Sequence, residues 1–343
     1  MLERHPSQEH ADKTAPSVAG RRRFLTELTA VAALPAAWGG TLERAAHAAS
    51  EPAAPASTPK DPLPSIQLGP HRVSRLVAGA NPLTGFSYQG SHTDHCMKEY
   101  FTLDRRVEFL QRCEQLGITA HQFSTYKDVE YVRVARDRGV RMSFWGLQRD
   151  IPSVKEAVQS IQPIALVHHG SLTDRYFHQG KQQQVHDFVK AAHDAGVMAG
   201  ISAHNPDCIK RIADEGWDVD FFMTCFYFIS REYLPGTMDK MPPVPTLDLT
   251  KYCFFKNDPV AMTAVVRQVN KPCFGFKIMA GGRACLNERR VREAFKYAFS
   301  NIKPTDGVIV GMFPRYSDEV KFNVEATRRY GQIPTVQRSK SEV

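Results

Sequence analysis

Short apolar segments alternate with helical patterns along most of this chain, and no other feature constrains its fold as strongly. Segments with the length and apolar content of β-strands lie at 76–80, 119–123, 141–147, 164–168, 198–203, 221–227, 273–278 and 307–311. Helical patterns follow them at 103–116, 128–138, 153–161, 181–195, 206–215, 258–269, 287–301 and 316–330. Several strands are apolar on both faces, which is typical of a parallel sheet covered by helices.

This alternation predicts an α/β fold, a closed (β/α)8 TIM barrel. Residues 66–73 predict a β-hairpin that precedes the first strand and closes the barrel floor. An open doubly wound sheet is disfavoured because Gly79-Ala80-Asn81-Pro82, after the first strand, is not a glycine-rich nucleotide-binding turn. Long loops at 81–102 and 229–257 are expected at the C-terminal ends of the strands, where such barrels bind ligands.

The N-terminal region predicts export. Arg21-Arg22 precedes Phe24-Leu25 and a weakly apolar, alanine-rich run that ends at Ala48, the pattern of a twin-arginine signal peptide over residues 1–48. Residues 49–63 predict a Pro/Ala/Ser linker, 64–333 the barrel and 334–343 a disordered tail. We therefore expect the twin-arginine export machinery as a partner, a periplasmic or secreted location, and no integral membrane segment after cleavage.

Charge and cysteine usage restrict the partners further. The formal net charge is +8, but no block of like charges forms a basic stripe, so nucleic acid is not an expected partner and a small-molecule substrate is. The seven cysteines are scattered without a CxxC pair, which disfavours a cysteine-built zinc site. A single disulfide through Cys253 or Cys285 is left open.

Four segments resemble the aldo-keto reductases. They are the hairpin with residues 73–76 (VSRL), 199–206 (AGISAHNP), 277–283 (KIMAGGR) and 308–312 (VIVGM), the last followed by Asn323. The similarity extends over roughly residues 66–331 and implies the same barrel. It also implies hydride transfer between NADP or NAD and the carbonyl or alcohol of a small, sugar-like metabolite, with the cofactor bound before export.

The resemblance also implies roles for individual residues. Tyr126 matches the family's catalytic acid, and His168 or His169 matches its histidine. For the cofactor, the resemblance and the residues near its motifs indicate Ser202, Lys277, Gly281, Gly282, Arg315 and Asn323. The sequence departs from the family where Gln122 stands at the acidic position, where no lysine ends the third strand, and where Glu319 precedes Asn323.

The histidines support a different hypothesis. His121, His168, His169 and His204 follow or end three of the predicted strands, so we expect all four near the catalytic rim, with His121 also a candidate catalytic residue. His168 and His204 could bind a divalent metal, which would make the barrel a metal-dependent hydrolase, lyase or isomerase without hydride chemistry. A non-catalytic small-molecule binding protein is a third hypothesis.

Overall fold

The computed structural model describes residues 62–231 and 252–333. The predicted signal peptide (1–48), residues 49–61 of the predicted linker, most of the second long loop and the predicted tail (334–343) lie outside the described residues. The described chain forms a closed parallel barrel, which confirms the predicted (β/α)8 fold.

Eight strands make the barrel, preceded by the predicted hairpin. The hairpin pairs β1 (Ser65–Leu68) antiparallel with β2 (His71–Ser74). The barrel strands are β3 (Leu76–Gly79), β4 (Ala120–Phe123), β5 (Ser143–Gln148), β6 (Ala165–His168), β7 (Met198–Ala203), β8 (Phe221–Cys225), β9 (Cys273–Phe276) and β10 (Gly307–Gly311). Each pairs parallel with its neighbours, and β10 closes the barrel against β3.

Helices connect the strands on the outside. They are α1 (Ser91–Tyr100), α2 (Leu103–Gln115), α3 (Glu130–Asp137), α4 (Pro152–Ile161), α5 (Gly170–His178), α6 (Gln183–Asp194), α7 (Pro206–Asp214), α8 (Asp258–Val266), α9 (Glu288–Asn301) and α10 (Glu319–Tyr330). None of the helices in the described ranges is long and apolar enough to cross a membrane.

Two of these helices are absent from the sequence prediction. The first long loop contains α1, which buries only Met97, so its sequence lacks an apolar stripe. Helix α5 buries Leu172, Thr173 and Asp174, and a polar buried face gives no hydrophobic periodicity to detect.

Alternation along the strands separates two apolar layers. Val167, Phe221, Phe274 and Ile309 point into the barrel, where they pack with the floor hairpin. Phe144, Leu166 and Phe222 belong to the layer between the strands and the helices. Because successive side chains point to opposite faces, this alternation also decides which histidines at the strand ends face the barrel interior.

Candidate functional site

Two of the predicted site histidines lie in the outer layer. The His121 Nδ1 atom lies 2.9 Å from the Ala78 carbonyl oxygen, and its Nε2 atom lies 2.8 Å from the Tyr131 hydroxyl on α3. The His168 Nδ1 atom lies 2.7 Å from Thr173 Oγ1, and its ring packs 5.1 Å from that of Phe188 on α6. Burial lowers the pKa of His121 to about 3 and that of His168 to about 4. Both are therefore neutral at pH 7, with partners in the helical layer.

The other two histidines, His169 and His204, lie at the inner side of the rim with Lys277. The Lys277 Nζ atom is 3.4 Å from His204 Nε2, and His204 Nδ1 is 2.9 Å from the Asp174 carboxylate. His204 and Asp174 are only 5% and 4% exposed. The chain Lys277–His204–Asp174 combines the segment after β9, the end of β7 and helix α5, and we call it the Lys–His–Asp chain.

Asp174 holds the His204 ring in one orientation. Its carboxylate also accepts hydrogen bonds from the backbone N–H groups of His204 and Asn205, at 3.1 Å each, and from the Ser230 hydroxyl at 2.6 Å. A carboxylate can only accept, so Nδ1 of His204 carries the proton that it donates to Asp174. The lone pair of Nε2 therefore faces the Lys277 ammonium group.

Lys277 has an unusual backbone conformation, and its ammonium group lies near two aromatic rings. Its φ angle is +55°, in the left-handed region that costs a non-glycine residue about 1–2 kcal/mol. The Nζ atom lies 4.3 Å from the ring centroid of Phe276 and 5.0 Å from that of Tyr88. The pKa of Lys277 is raised: burial, the largest single effect, lowers it, while interactions with Cys225, Tyr88 and Tyr252 together raise it. The side chain is therefore a cation at neutral pH.

The pKa of His204 shifts in the opposite direction to that of Lys277. Burial first, and then the positive charge of Lys277, lowers its pKa, although Asp174 acts against both. The site thus holds a neutral imidazole whose Nε2 lone pair faces an ammonium group. Such a pair of titratable groups whose environments separate their pKa values is typical of acid–base sites.

Tyr88, in the first long loop, lies over Lys277. Its ring makes edge contacts with Tyr252 at 5.1 Å and Phe254 at 5.7 Å. A Cβ atom on Gly281 would lie 2.9 Å from the Tyr88 Cβ, so glycine is needed for the loop to approach so closely. Burial raises the pKa of Tyr88, and its hydroxyl stays protonated at neutral pH.

The predicted cofactor-binding residues Gly281 and Gly282 lie in the segment after β9. Both have positive φ angles, +59° and +93°. The space where their side chains would lie is occupied by Tyr88 and Gln89. These glycines permit the close contact of the loop, and their assignment to a binding site stays a prediction.

The structure does not bring every predicted site residue to this position. The Tyr126 hydroxyl donates to the Glu156 carboxylate on α4, and that contact is the main reason its pKa is raised. Arg315 donates to the Cys96 carbonyl oxygen at 3.3 Å. Asn323 is buried within α10. None of the hydrogen bonds of these three side chains in the described chain involves Lys277 or a rim histidine.

Ser202, in contrast, is a neighbour of the Lys–His–Asp chain. It is buried at the end of β7. A Cβ atom built on Gly170 would lie 2.9 Å from Ser202 Oγ and 3.1 Å from His204 Cε1, so both side chains pack on the first residue of α5. Ser202 therefore lies beside His204, at the rim position that the sequence predicts for it.

The residues present do not fit the metal hypothesis. Within residues 62–231 and 252–333, no three His, Cys, Asp or Glu side chains are grouped so that they could hold a metal ion. His168 and His204 do not converge, because His168 bonds to Thr173 in the outer layer while His204 bonds to Asp174 and Lys277. The oxygens of Asp174 are already occupied by protein donors.

Sequence reasoning missed Asp174 and Tyr88 as site residues. Asp174 lies in α5, which has no detectable apolar stripe, and Tyr88 lies in a loop whose path depends on Gly281. For both, only the tertiary structure identifies the contact.

Comparison with known proteins identifies no family. No family model matches the chain, and no curated protein matches it by sequence. A truncated 3-deoxy-D-arabino-heptulosonate 7-phosphate synthase from Thermotoga maritima is similar in structure, with 12% identity, coverage of 78% of this chain and 91% of that one, and a TM-score of 0.45. Dihydropteroate synthase from Thermus thermophilus is similar too, with 12% identity, 77% and 97% coverage and a TM-score of 0.45. Likeness at this level carries no inference about activity.

The predicted membership of the aldo-keto reductases is wrong on these findings. No family model supports it, and the similar solved structures are named as synthases. The predicted oxidoreductase activity and its NADP or NAD cofactor are corrected with it. The geometry gives a physical reason, because Tyr126, assigned as the acid of hydride transfer, is bonded to Glu156 instead of to a histidine.

Proposed function

We propose that this barrel is a metal-independent lyase or isomerase that removes a proton from a carbon next to a carbonyl group. The observation that carries the proposal is the 3.4 Å contact between Lys277 Nζ and His204 Nε2, with the far side of the imidazole fixed by Asp174. The proposal keeps the lyase and isomerase classes of the histidine hypothesis and omits its metal.

His204 and Lys277 have complementary roles in the proposed reaction. His204 is neutral at pH 7 because its pKa is lowered. Once Lys277 bonds to the carbonyl oxygen of the substrate in place of Nε2, the Nε2 lone pair can accept a proton from carbon. The Lys277 ammonium group and the Tyr88 hydroxyl both stay protonated and can donate hydrogen bonds to the carbonyl oxygen. Charge that develops on that oxygen is stabilised by a fixed cation in a partly buried site.

The reaction balances within these groups. The C–H bond breaks, its proton moves to His204 Nε2, and the electron pair shifts through the C–C bond onto the carbonyl oxygen held by Lys277. In a hydroxyketone, return of the proton to the former carbonyl carbon, with transfer of the hydroxyl proton to the former carbonyl oxygen, gives an isomerase. Departure of a group from the β-carbon with its bonding electron pair, which then takes up the proton from His204, gives a lyase. Asp174 stabilises the imidazolium that forms in the first step.

The proposal is tested by hydrogen exchange at carbon. The purified full chain is incubated in D₂O with a panel of small ketones, hydroxyketones and 2-oxo acids, and loss of the α-proton signal is followed by NMR. We expect catalysed exchange with at least one member, and a loss of about 100-fold or more in His204→Gln. The exposed His186 on α6 provides the matched control His186→Gln, which should keep the wild-type rate.

The pH dependence gives a second readout. The rate should fall on the acid side only below the ordinary histidine value of 6.5, because the pKa of His204 is lowered. It should fall on the alkaline side only above the ordinary tyrosine value of 10.0, because the pKa values of Tyr88 and Lys277 are raised. No exchange above the buffer rate with any panel member, or full activity in His204→Gln, would reject the proposal.

A further inference from the structure

The rim beside the Lys–His–Asp chain carries positive charge that the proposed chemistry does not use. Arg149 follows β5 and His169 follows β6, and the two strand ends are joined by a hydrogen bond of 2.9 Å from the His169 N–H to the Gln148 carbonyl oxygen. Each lies two positions beyond a residue of the inner layer, Leu147 or Val167. By strand alternation, His169 belongs to the same inner side of the rim as His204, and the exposed Arg149 follows the end of the neighbouring strand.

Two cationic side chains act on His169. Burial lowers the pKa of His169 to about 3, and the positive charges of Arg149 and Lys277 lower it further. The charge of Asp174 is engaged by His204, Asn205 and Ser230. The carboxylate next to Arg149, that of Asp150, accepts the Ser153 N–H at 2.9 Å at the start of α4. Among the ion pairs of the described residues, none includes Arg149.

His169 also has an unsatisfied ring nitrogen. Its Nδ1 atom is buried and has no hydrogen-bond partner in the part of the chain that the structure describes. Buried polar atoms of native proteins nearly always have a partner. An oxygen of a bound ligand would satisfy Nδ1, and a negative charge on that oxygen would be attracted by Arg149 and Lys277.

We propose that the substrate carries an oxyanion group, a carboxylate or a phosphate, which binds between Arg149 and His169 while its carbonyl oxygen contacts Lys277. This inference rests on the proposed function and names the substrate class of the same site. Arg149 is suited to the task because its planar guanidinium group pairs with two oxygens of a carboxylate or a phosphate.

Calorimetric titration of the full chain tests the inference without any assay of turnover. Inorganic phosphate and pyruvate are titrated separately at low ionic strength. We expect saturable binding of at least one, and an increase of roughly tenfold or more in its Kd in Arg149→Gln. Arg141, which is exposed just before β5, provides the control Arg141→Gln, whose Kd should equal that of the wild type. Tighter binding of phosphate identifies phosphoesters as the substrates, and tighter binding of pyruvate identifies carboxylic acids.

The two proposals fail in different ways. If neither anion binds at millimolar concentration, or if Arg149→Gln binds as tightly as the wild type, the oxyanion inference is overturned even when exchange depends on His204. If anion binding depends on Arg149 but no carbon-bound proton exchanges, the oxyanion site stands and the proposed reaction is rejected. The variant His204→Gln should lose exchange and keep anion binding within about threefold, because the oxyanion contacts lie on the neighbouring strand ends.

Discussion

At the residue scale, the role of each histidine depends on which face of its strand it occupies. His121 is fully buried and its two nitrogens are bonded to Ala78 and Tyr131. Its task is to satisfy polar groups in the outer layer. His204, on the inner side of the rim, has one nitrogen bonded to Asp174 and the other turned to Lys277. The residue type is the same, but only in His204 is one ring nitrogen partnered by a cationic side chain at the rim.

The buried histidines predict a loss of stability in acid. The pKa of His121 is about 3 in the folded chain against an ordinary 6.5, so between these values the unfolded chain binds a proton that the folded chain does not. Stability is therefore complete above pH 6.5 and falls as pH drops towards 3. Between pH 7 and pH 4 His121 alone should remove on the order of 3 kcal/mol from the free energy of unfolding.

Urea unfolding of the wild type and of His121→Gln at the two pH values measures this effect. The variant should be less stable at pH 7 and should lose less stability between pH 7 and pH 4, because glutamine does not titrate. The exposed His186→Gln serves as the control and should follow the wild type. Equal losses in all three proteins would contradict the assignment of the acid sensitivity to His121.

At the element scale, the sequence predicts strands better than it predicts the helices of the site. The predicted strands agree with the observed ones within about two residues at each end, because apolar runs of this length between helical patterns have few other solutions. Helices α1 and α5 were missed because α1 buries a single Met and α5 buries polar residues. The site consequently lacked Asp174 in the sequence interpretation, although it contained His169, His204 and Lys277.

The start of α5 sets the position of His204. A Cβ atom at Gly170 would lie 3.1 Å from the His204 ring and 2.9 Å from Ser202 Oγ. Gly170→Ala should therefore displace the imidazole from Asp174 and lower the exchange rate about tenfold, since small misplacements of catalytic groups are costly. The cooperative unfolding transition should remain.

Ser171→Ala, at the next position of α5, is the matched control. It also replaces a side chain in the first turn, but Ser171 is partly exposed and makes none of the contacts described for Gly170. Its exchange rate should be that of the wild type. An unchanged rate in Gly170→Ala would mean that the site tolerates the displacement and that α5 does not position His204.

At the scale of the whole molecule, Arg75 closes the barrel floor. It is 2% exposed and lies between β2 and β3. Its guanidinium group donates to the carbonyl oxygens of Asp306 at 2.7 Å, Gly331 at 2.8 Å and Lys303 at 2.9 Å, and it lies 4.8 Å from the ring centroid of Phe299. The Arg75 side chain thus connects the hairpin, through hydrogen bonds, to the segment before β10 and to the end of α10.

Replacement of this residue should destabilise the whole domain. Arg75→Met keeps most of the apolar stem but leaves three carbonyl groups without their donor, each costing about 1–3 kcal/mol if it stays buried. We expect a loss of at least about 3 kcal/mol in the free energy of unfolding, measured in urea. Arg72→Met, at an exposed position whose Nε donates to Ser65 Oγ, should change it little. Equal midpoints for the two variants would contradict this role for Arg75.

The sequence by itself determined the barrel, because the alternation of apolar strands and helical patterns is local and only a closed or covered parallel sheet buries it. It also placed several histidines and Lys277 at the strand ends. Only the tertiary structure decided that His121 and His168 face the helices while His169 and His204 face the rim. In strands that are apolar on both faces, a shift of one residue exchanges inside and outside without changing the pattern. The contacts among Asp174, His204 and Lys277 join three segments that are distant in the sequence, so no local sequence pattern predicts them.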